Sequence, residues 1–196
     1  MTPHPDGQRL QRAVQRCLPL AVGWSGDVYR FAAPRWATEV ELLTGAGALK
    51  AGGRWHPVGL CRAVYASLDP ETALAESLAH FRRFQIAIRD AMPRTLNAVA
   101  VRLYQVLDLT DGRIRQRLGL SWDRMLQERW WEREARDEEA LTQALGRAAW
   151  EAALEGLLVP STVRKGAVNL VHFPDHRLPV STLEIINPEE LPRHVP

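Results

Sequence analysis

The spacing of apolar side chains predicts a chain of short strands with helices inserted between them. From residue 97 to 109, Val99, Val101, Leu103 and Leu107 follow a two-residue period, which is typical of a half-buried strand. Runs rich in β-branched and aromatic residues predict further strands at residues 27–31, 63–67, 157–159, 169–173 and 183–186. Because the helices interrupt these strands at irregular intervals, the pattern favours a single compact α+β domain over a doubly wound parallel sheet.

One helix is predicted to begin within the sequence DPE at residues 69–71. Aspartate is a good N-cap, and proline is favoured at the first helical position. Further along, Leu74, Leu78 and Phe81 recur at i, i+4 and i+7 and predict one buried stripe. Glu76 is therefore expected away from the main core face of this helix.

Two other regions have helical character. Leu10, Val14 and Cys17 recur at helical spacing, so residues 1–24 are expected to form a short helical or loosely ordered lead-in. Residues 113–155 are mostly helical by composition, and the last helix is predicted to end at Gly156.

Three tryptophans, Trp122, Trp130 and Trp131, fall in the charged part of this second region. We expect them to pack against the core of the domain, since large aromatic side chains contribute strongly to cores. The alternative is a face that binds a partner.

Length and composition favour one globular domain. The chain has 196 residues, of which 46% are hydrophobic and 24% charged. We divide it into a lead-in at 1–24, the main domain at 25–190 and a C-terminal tail at 191–196. The formal charge of +2 gives no clustered excess, so direct binding of nucleic acid is not expected.

The distribution of cysteines and apolar runs indicates a cytoplasmic protein. Cys17 and Cys61 form neither a CxxC pair nor a disulfide framework, which suits a reducing compartment. Charged residues from Asp6 to Arg16 interrupt any signal-peptide core, and runs of about 18 apolar residues are absent from the sequence. We therefore expect neither export nor a membrane-spanning segment.

The most unusual segment is TGAGALKAGGRWHPVG at residues 44–59, whose five glycines predict a structured loop. Gly52 and Gly53 permit close approach of the backbone, and Arg54 adds a planar guanidinium that can bind two oxygens at once. This combination suits a phosphate-bearing ligand. Taken alone, it also fits an arginine that pins a turn through a carboxylate or carbonyl groups.

Other catalytic signatures are not supported by the sequence. Lys50 stands where a dinucleotide fingerprint starting at Gly45 needs its third glycine, and GK[ST] is absent from the sequence. His172 and His176 are four residues apart, but a proline between them breaks the helix that a metal pair would need. Ser161 lies outside any GxSxG motif. We therefore expect no metal.

Six blocks in a fixed order resemble the RES domain over roughly residues 27–187. They are YRF at 29–31, GAGALKAGGRWHPVG at 45–59, AVYAS at 63–67, DPETALAESLAHF at 69–81, GLLVPS at 156–161 and NLVHFP at 169–174. The family is named for an arginine, a glutamate and a serine, which match Arg54, Glu76 and Ser161. Tyr65 matches the family's active-site tyrosine.

The resemblance implies a compact fold similar to the ADP-ribosyltransferase toxins, with NAD as the substrate. Family members act as toxins that consume NAD by hydrolysis or phosphorolysis, or that transfer ADP-ribose to a protein. Many are paired with an Xre-type helix-turn-helix antitoxin that covers the cleft. The expected function is therefore cleavage of the nicotinamide–ribose bond of NAD, which depletes cellular NAD and arrests growth.

The resemblance also assigns roles to individual residues. Arg54 would bind the pyrophosphate, and Glu76 would hold the ribose hydroxyls and stabilise positive charge on the sugar. Tyr65 would pack against the nicotinamide or ribose, and Ser161 would hydrogen-bond the substrate. The residues expected to line the substrate pocket are Arg30, Gly53, Trp55 and Asn169.

Two departures from the family pattern bear on these roles. His56 stands where many members have asparagine, although a neutral imidazole still offers one donor and one acceptor. The Trp-rich segment 121–140 is longer than the family minimum.

Two further functional interpretations stay open. One is a protein ADP-ribosyltransferase, and the other is a catalytically silent module that binds a nucleotide or antitoxin. The sequence also leaves the final acceptor and self-association open.

Overall fold

The structure is a computed structural model that describes residues 1–83 and 85–192, apart from the side chains of His80 and Arg83. Residues 193–196 of the predicted tail lie outside this range. The described helices are α1 (Gly7–Cys17), α2 (Glu39–Leu43), α3 (Ala46–Ala51), α4 (Pro70–Arg83), α5 (Gly112–Leu118), α6 (Trp122–Gln127), α7 (Trp130–Glu134) and α8 (Leu141–Glu151). The described strands are β1 (Val22–Ala32), β2 (Val64–Ser67), β3 (Thr95–Asp108), β4 (Gly156–Pro160), β5 (Val168–His172) and β6 (Thr182–Ile185).

The strands form one mixed sheet in the order β1-β2-β5-β4-β3-β6, and a further pairing joins β1 to β3. Only β3 and β4 run parallel among the described pairs. Strand β1 is antiparallel to most of β3, but it meets β2 at a single position, Tyr29 opposite Ser67. The two strands therefore diverge beyond this point. This arrangement confirms the α+β fold class predicted from the sequence.

The main core lies between the sheet and a layer formed by α1, α5, α6 and α8. Leu10, Val14 and Cys17 of α1 are completely buried in it, as their helical spacing predicts. The N-terminal helix therefore packs into the main core, against α8. The division of the chain near residue 24 stays a prediction.

The predicted start of α4 is confirmed, because Asp69 Oδ1 accepts a hydrogen bond of 2.8 Å from the backbone N–H of Thr72. The predicted stripe is wrong at Leu74, which is 37% exposed, although Leu78 is buried. Helix α4 packs on β1 and β2 through the side that includes Ala73, so Leu74 lies at the edge of the contact.

Two sequence-based boundaries also differ from the structure. The glycine-rich segment begins with the short helix α3 before it becomes a loop. Helix α8 ends at Glu151 rather than at Gly156, which instead begins β4. Ala153 takes the left-handed conformation that ends the helix, with φ of 57°, and Leu154 N donates to the carbonyl of Ala149.

Among the helices in the described ranges, none combines the length and the apolar character needed to span a bilayer. Both cysteines are buried free thiols. Burial raises the pKa of the Cys61 thiol to about 12, so it stays protonated at neutral pH.

The close packing of α8 against the glycine-rich loop can be tested by substitution at Gly146. A Cβ at Gly146 would lie 1.6 Å from the carbonyl oxygen of Trp55. We therefore expect Gly146→Ala to lower the free energy of unfolding by about 3 kcal/mol, because the loop must move away from α8. Urea denaturation measures the change.

Gly47 supplies the matched control, since nothing lies within 4 Å of a Cβ built there in α3. Gly47→Ala should raise the free energy of unfolding by about 0.5 kcal/mol through helix propensity. Equal effects of the two substitutions would contradict the proposed contact.

Candidate active site

A cleft of about 650 Å³ opens where β1 and β2 diverge. Its walls come from the C-terminal part of β1, from β2, β4 and β5, from α4 and α7, and from residues 51–55. A volume of this size is typical of small-molecule sites, which occupy roughly 300–1,000 Å³. The sequence-predicted residues that line it are Arg30, Gly53, Arg54, Trp55, Tyr65, Glu76 and Asn169.

The carboxylate of Glu76 is held in place by two donors. The Ser161 hydroxyl donates to Glu76 Oε1 at 2.8 Å, and Asn169 Nδ2 donates to the same oxygen at 2.7 Å. Within the described part of the chain, no residue hydrogen-bonds Oε2. One oxygen of the carboxylate is therefore engaged by the protein, while the other is available to a ligand.

Ser161 lies behind the wall of the cleft and is 4% exposed. Its oxygen accepts hydrogen bonds from the backbone N–H groups of Val163 and Arg164, at 3.2 and 3.1 Å. These bonds turn the hydroxyl hydrogen toward Glu76. The loop after β4 therefore fixes the carboxylate on α4.

Asn169 is oriented by its neighbour in the sheet. Ser67 on β2 stands directly opposite Asn169 on β5, and its hydroxyl donates to Asn169 Oδ1 at 2.7 Å. Because the carbonyl oxygen accepts this bond, the amide nitrogen points toward Glu76. Ser67 donates to Asn169 and Asn169 donates to Glu76, and these two hydrogen bonds fix the Asn169 amide in one orientation.

A second network joins the glycine-rich loop to β2 through the Tyr65 hydroxyl. His56 Nε2 lies 2.9 Å from the Ala48 carbonyl, which can only accept, so Nε2 carries the hydrogen. Nδ1 of the neutral ring then accepts from the Tyr65 hydroxyl at 2.8 Å. The Tyr65 oxygen in turn accepts the backbone N–H of Trp55 at 3.1 Å. All three side-chain polar groups are satisfied.

Burial shifts both titratable groups of this network. It raises the pKa of Tyr65 well above its usual range, and the hydrogen bond from Trp55 N opposes this only in part. It lowers the pKa of the fully buried His56. Both side chains are therefore uncharged at neutral pH, and the aromatic ring of Tyr65 is the part that lines the cleft.

Gly53 is required by the same arrangement, because a Cβ there would lie 2.7 Å from the Tyr65 hydroxyl. Its carbonyl accepts a bond of 3.1 Å from Nε2 of Gln143, a buried residue of α8. Nε2 of Gln143 also donates to Glu134 Oε1 at 3.1 Å. Burial raises the pKa of Glu134, whereas the bonds from Gln143 and from Val58 N lower it.

The two arginines of the cleft are both tethered to backbone carbonyls. Arg54 donates to the carbonyl of Met125 at 3.0 Å, which holds the guanidinium at the wall of the cleft. Arg30 donates to the carbonyl of Leu42. Burial lowers the pKa of Arg30 to about 10, so the side chain stays charged at neutral pH. The cleft therefore has positive charge at two points and two carboxyl side chains, Glu76 and Glu134.

The tryptophans divide between the core and the cleft. Trp55 is 2% exposed and belongs to the main core, although it also forms part of the cleft wall. Trp122 packs against the main core as expected, with Arg115 over its ring at 4.6 Å. Trp130 and Trp131 instead line the cleft, with their rings in an edge-to-face arrangement at 6.2 Å.

Sequence reasoning missed Ser67, Glu134 and Gln143. Ser67 follows Tyr65 by two residues on the same strand, so their side chains share one face of the sheet. That spacing could have identified it. Glu134 and Gln143 reach the loop only through the packing of α7 and α8, for which the sequence offers no signal. Within the described ranges, no group of three or more His, Cys, Asp or Glu side chains could hold a metal ion.

An α+β domain whose cleft combines an oriented carboxylate, two arginines and a tyrosine face is an enzyme domain for a small, charged substrate. The chain matches the RES domain over residues 27–194 and belongs to this family.

Two comparisons give relatives of the chain. It is 29% identical over 158 residues to proteins named NAD(+) phosphorylase MbcT from Mycobacterium bovis and Mycobacterium tuberculosis. These matches cover 76% of this chain and 73% of the mycobacterial proteins. The crystal structure of the M. tuberculosis MbcT-MbcA toxin-antitoxin complex contains a similar fold. Its TM-score is 0.69, with 24% identity and coverage of 91% of both chains.

The Tyr65 hydroxyl can be tested by Tyr65→Phe, which removes a partner from two buried groups, His56 Nδ1 and Trp55 N. We expect the free energy of unfolding to fall by about 2 kcal/mol, because both groups lose their hydrogen bond away from water. Tyr104→Phe is the control, since Tyr104 is 44% exposed, and its effect should stay within about 0.5 kcal/mol. Urea denaturation measures both changes, and an equal loss of unfolding free energy in the two variants would contradict the role of the Tyr65 hydroxyl.

The lowered pKa of His56 predicts a loss of stability in mild acid. Below pH 6.5 the unfolded chain binds a proton at this histidine and the folded chain does not, so stability falls as the pH decreases. The same holds for His172, whose pKa burial lowers to about 4. Wherever the unfolded chain carries this proton and the folded chain does not, each histidine contributes a slope of up to about 1.4 kcal/mol per pH unit.

His56→Asn should remove one of these two contributions, so the unfolding free energy of the variant should depend less steeply on pH below pH 6.5 than that of the wild type. Denaturation series at several pH values measure both slopes. Parallel curves would show that His56 is protonated in the folded state.

Proposed function

We propose that this protein is a toxin-type enzyme that cleaves the bond between nicotinamide and ribose in NAD. The observation that carries the proposal is the Glu76 carboxylate, which Ser161 and Asn169 orient through Oε1 while Oε2 is available to a ligand. Membership of the RES family and likeness to proteins named NAD(+) phosphorylase support NAD as the substrate.

The reaction requires negative charge beside the ribose. As the C–N bond breaks, its electron pair moves to the nicotinamide nitrogen, and positive charge develops on the sugar in an oxocarbenium-like transition state. Oε2 of Glu76 would accept a ribose hydroxyl and stabilise this charge. Because Oε1 is already fixed, the carboxylate needs little reorganisation at the moment of reaction.

Ser161 and Asn169 act in this scheme as positioning residues, since both donate to Glu76. Direct contact between Ser161 and the substrate, which the family resemblance implies, stays a prediction. Tyr65 presents its ring to the cleft while its hydroxyl is engaged by His56 and Trp55 N. The ring would pack against the nicotinamide or ribose and exclude water.

The two arginines provide sites for the negative charges of NAD. Arg54 would bind the pyrophosphate, because a guanidinium offers paired donors that match phosphate oxygens. Arg30 would face the substrate from the opposite strand, β1. Gly53 lets the loop that carries Arg54 lie directly against Tyr65, because a side chain at this position would collide with the Tyr65 hydroxyl.

The acceptor that we favour is inorganic phosphate, because the mycobacterial relatives are named phosphorylases. An antitoxin partner is part of the proposal, since the similar solved fold belongs to a toxin-antitoxin complex. We propose an Xre-type helix-turn-helix protein in this role, bound over the cleft, and a cytoplasmic location where NAD is available. Consumption of NAD would then arrest growth whenever the antitoxin is absent.

The test is nicotinamide release from NAD by purified protein, followed by chromatography. Glu76→Gln keeps the size of the side chain and an acceptor for Ser161 and Asn169, but it removes the negative charge. We expect kcat to fall on the order of 10²-fold to 10³-fold, which is typical for loss of one electrostatic contact in a transition state.

Glu71→Gln on the same helix is the control. The side chain of Glu71 is 74% exposed, makes a long ion pair with Arg164 and does not line the cleft, so the activity of this variant should match the wild type. Full activity of Glu76→Gln would refute the role of Glu76. Labelled ADP-ribose on a protein band, without free product, would instead identify a protein ADP-ribosyltransferase.

A further inference from the structure

A second cavity, of about 450 Å³, adjoins the cleft. The two share walls, because both are lined by Arg54, Ala79, Trp131, Thr162 and Val163. The remaining wall of the side cavity comes from the end of α4, from the end of α6 and from the two residues between α6 and α7. A small molecule in this cavity would therefore lie next to a substrate in the cleft.

Two residues of the shared wall lie close in the chain to Glu76, the carboxylate that the proposed reaction uses, or to its hydrogen-bond partner. Ala79 lies three residues after Glu76 on α4, which places the two on the same face of the helix. Thr162 directly follows Ser161, whose hydroxyl binds Glu76. Ala79 and Thr162 therefore place the side cavity beside the part of the cleft where the ribose would be cleaved.

The lining of the side cavity is predominantly basic. Three arginines, Arg54, Arg82 and Arg129, contribute to it, against one carboxylate, Glu128. Both carboxylate oxygens of Glu128 accept hydrogen bonds from the start of α8. Its Oε1 accepts the N–H of residue 141 at 2.7 Å, and its Oε2 accepts the N–H and the hydroxyl of Thr142, both at 2.9 Å.

The arginines differ in how far neighbouring groups neutralise them. Arg129 is paired with Glu132 at 2.9 Å, and Arg54 donates to the carbonyl of Met125. The guanidinium of Arg82 makes no ion pair or hydrogen bond with any residue in the described ranges. Its guanidinium is therefore the group in this cavity that is best placed to bind an added anion.

We propose that the side cavity binds the phosphate acceptor and that Arg82 is a specificity-determining residue for it. This inference rests on the proposed cleavage of NAD and adds a separate site for the second substrate. A phosphate oxyanion suits the cavity, because guanidinium groups bind phosphate through paired, charge-assisted hydrogen bonds. The anion would enter beside Arg82 and reach the ribose past Ala79 and Thr162.

The chemistry balances without a further reactant. A phosphate oxygen forms a bond to the ribose carbon, the C–N bond to nicotinamide breaks, and its electron pair stays on the pyridine nitrogen. Monohydrogen phosphate thereby becomes a phosphate monoester, which releases its remaining proton to water at neutral pH. The products are nicotinamide and ADP-ribose phosphorylated at the cleaved carbon.

The test is a kinetic comparison of wild type, Arg82→Gln and Arg82→Lys, with phosphate and NAD varied in turn. We expect Arg82→Gln to raise KM for phosphate about tenfold, as loss of one hydrogen bond to a charged group implies, and to change KM for NAD less than about twofold. Arg82→Lys keeps the charge and should restore most of the affinity for phosphate. Arg102→Gln, at an exposed site on β3, is the control and should leave both constants unchanged.

The outcomes separate this inference from the proposed function. Nicotinamide release that does not depend on phosphate, or an unchanged KM for phosphate in Arg82→Gln, would overturn the acceptor site while NAD cleavage stands. A higher KM for NAD alone would show that the cavity binds the diphosphate of NAD instead. Absence of any NAD cleavage by the wild type would overturn both.

Discussion

The arrangement of the cleft depends on the hydroxyl of Tyr65. It donates to His56 and accepts from the backbone N–H of Trp55, so it ties the glycine-rich loop to β2. That loop carries Arg54, and β2 carries Ser67, which orients Asn169 toward Glu76. One side chain on one strand thus sets the relative positions of the guanidinium and the carboxylate. The buried polar groups are all paired in this network, which offsets their loss of contact with water.

Glycines make this arrangement possible where backbones meet. Gly53 leaves room for the Tyr65 hydroxyl, and Gly146 lets α8 touch the carbonyl of Trp55. Gln143, one turn earlier on α8, donates to the carbonyl of Gly53. The loop is therefore held from the sheet on one side and from a helix on the other. Such a support positions catalytic groups more firmly than a free surface loop would.

The segment 121–140 forms part of both the cleft and the side cavity. Trp130, Trp131 and Glu134 reach the cleft from α7, and Arg129 lines the side cavity just before it. The Met125 carbonyl on α6 holds Arg54. This segment is thus a wall of the site, which explains why two tryptophans in a charged region are only half buried.

Local patterns in the sequence were sufficient for the strands, the start of α4 at Asp69, the buried stripe of α1 and the family to which the chain belongs. These depend on nearest-neighbour periodicity, capping and residue identity, which the sequence contains directly. The exposure of Leu74 and the pairing of Ser161 and Asn169 with Glu76 depended on how β4, β5 and α4 pack together. Residues 76, 161 and 169 are far apart in the chain, so only the tertiary structure decided which oxygen of Glu76 is fixed and which is available. The side cavity has the same origin, because its arginines come from three separate segments that meet only in the folded protein.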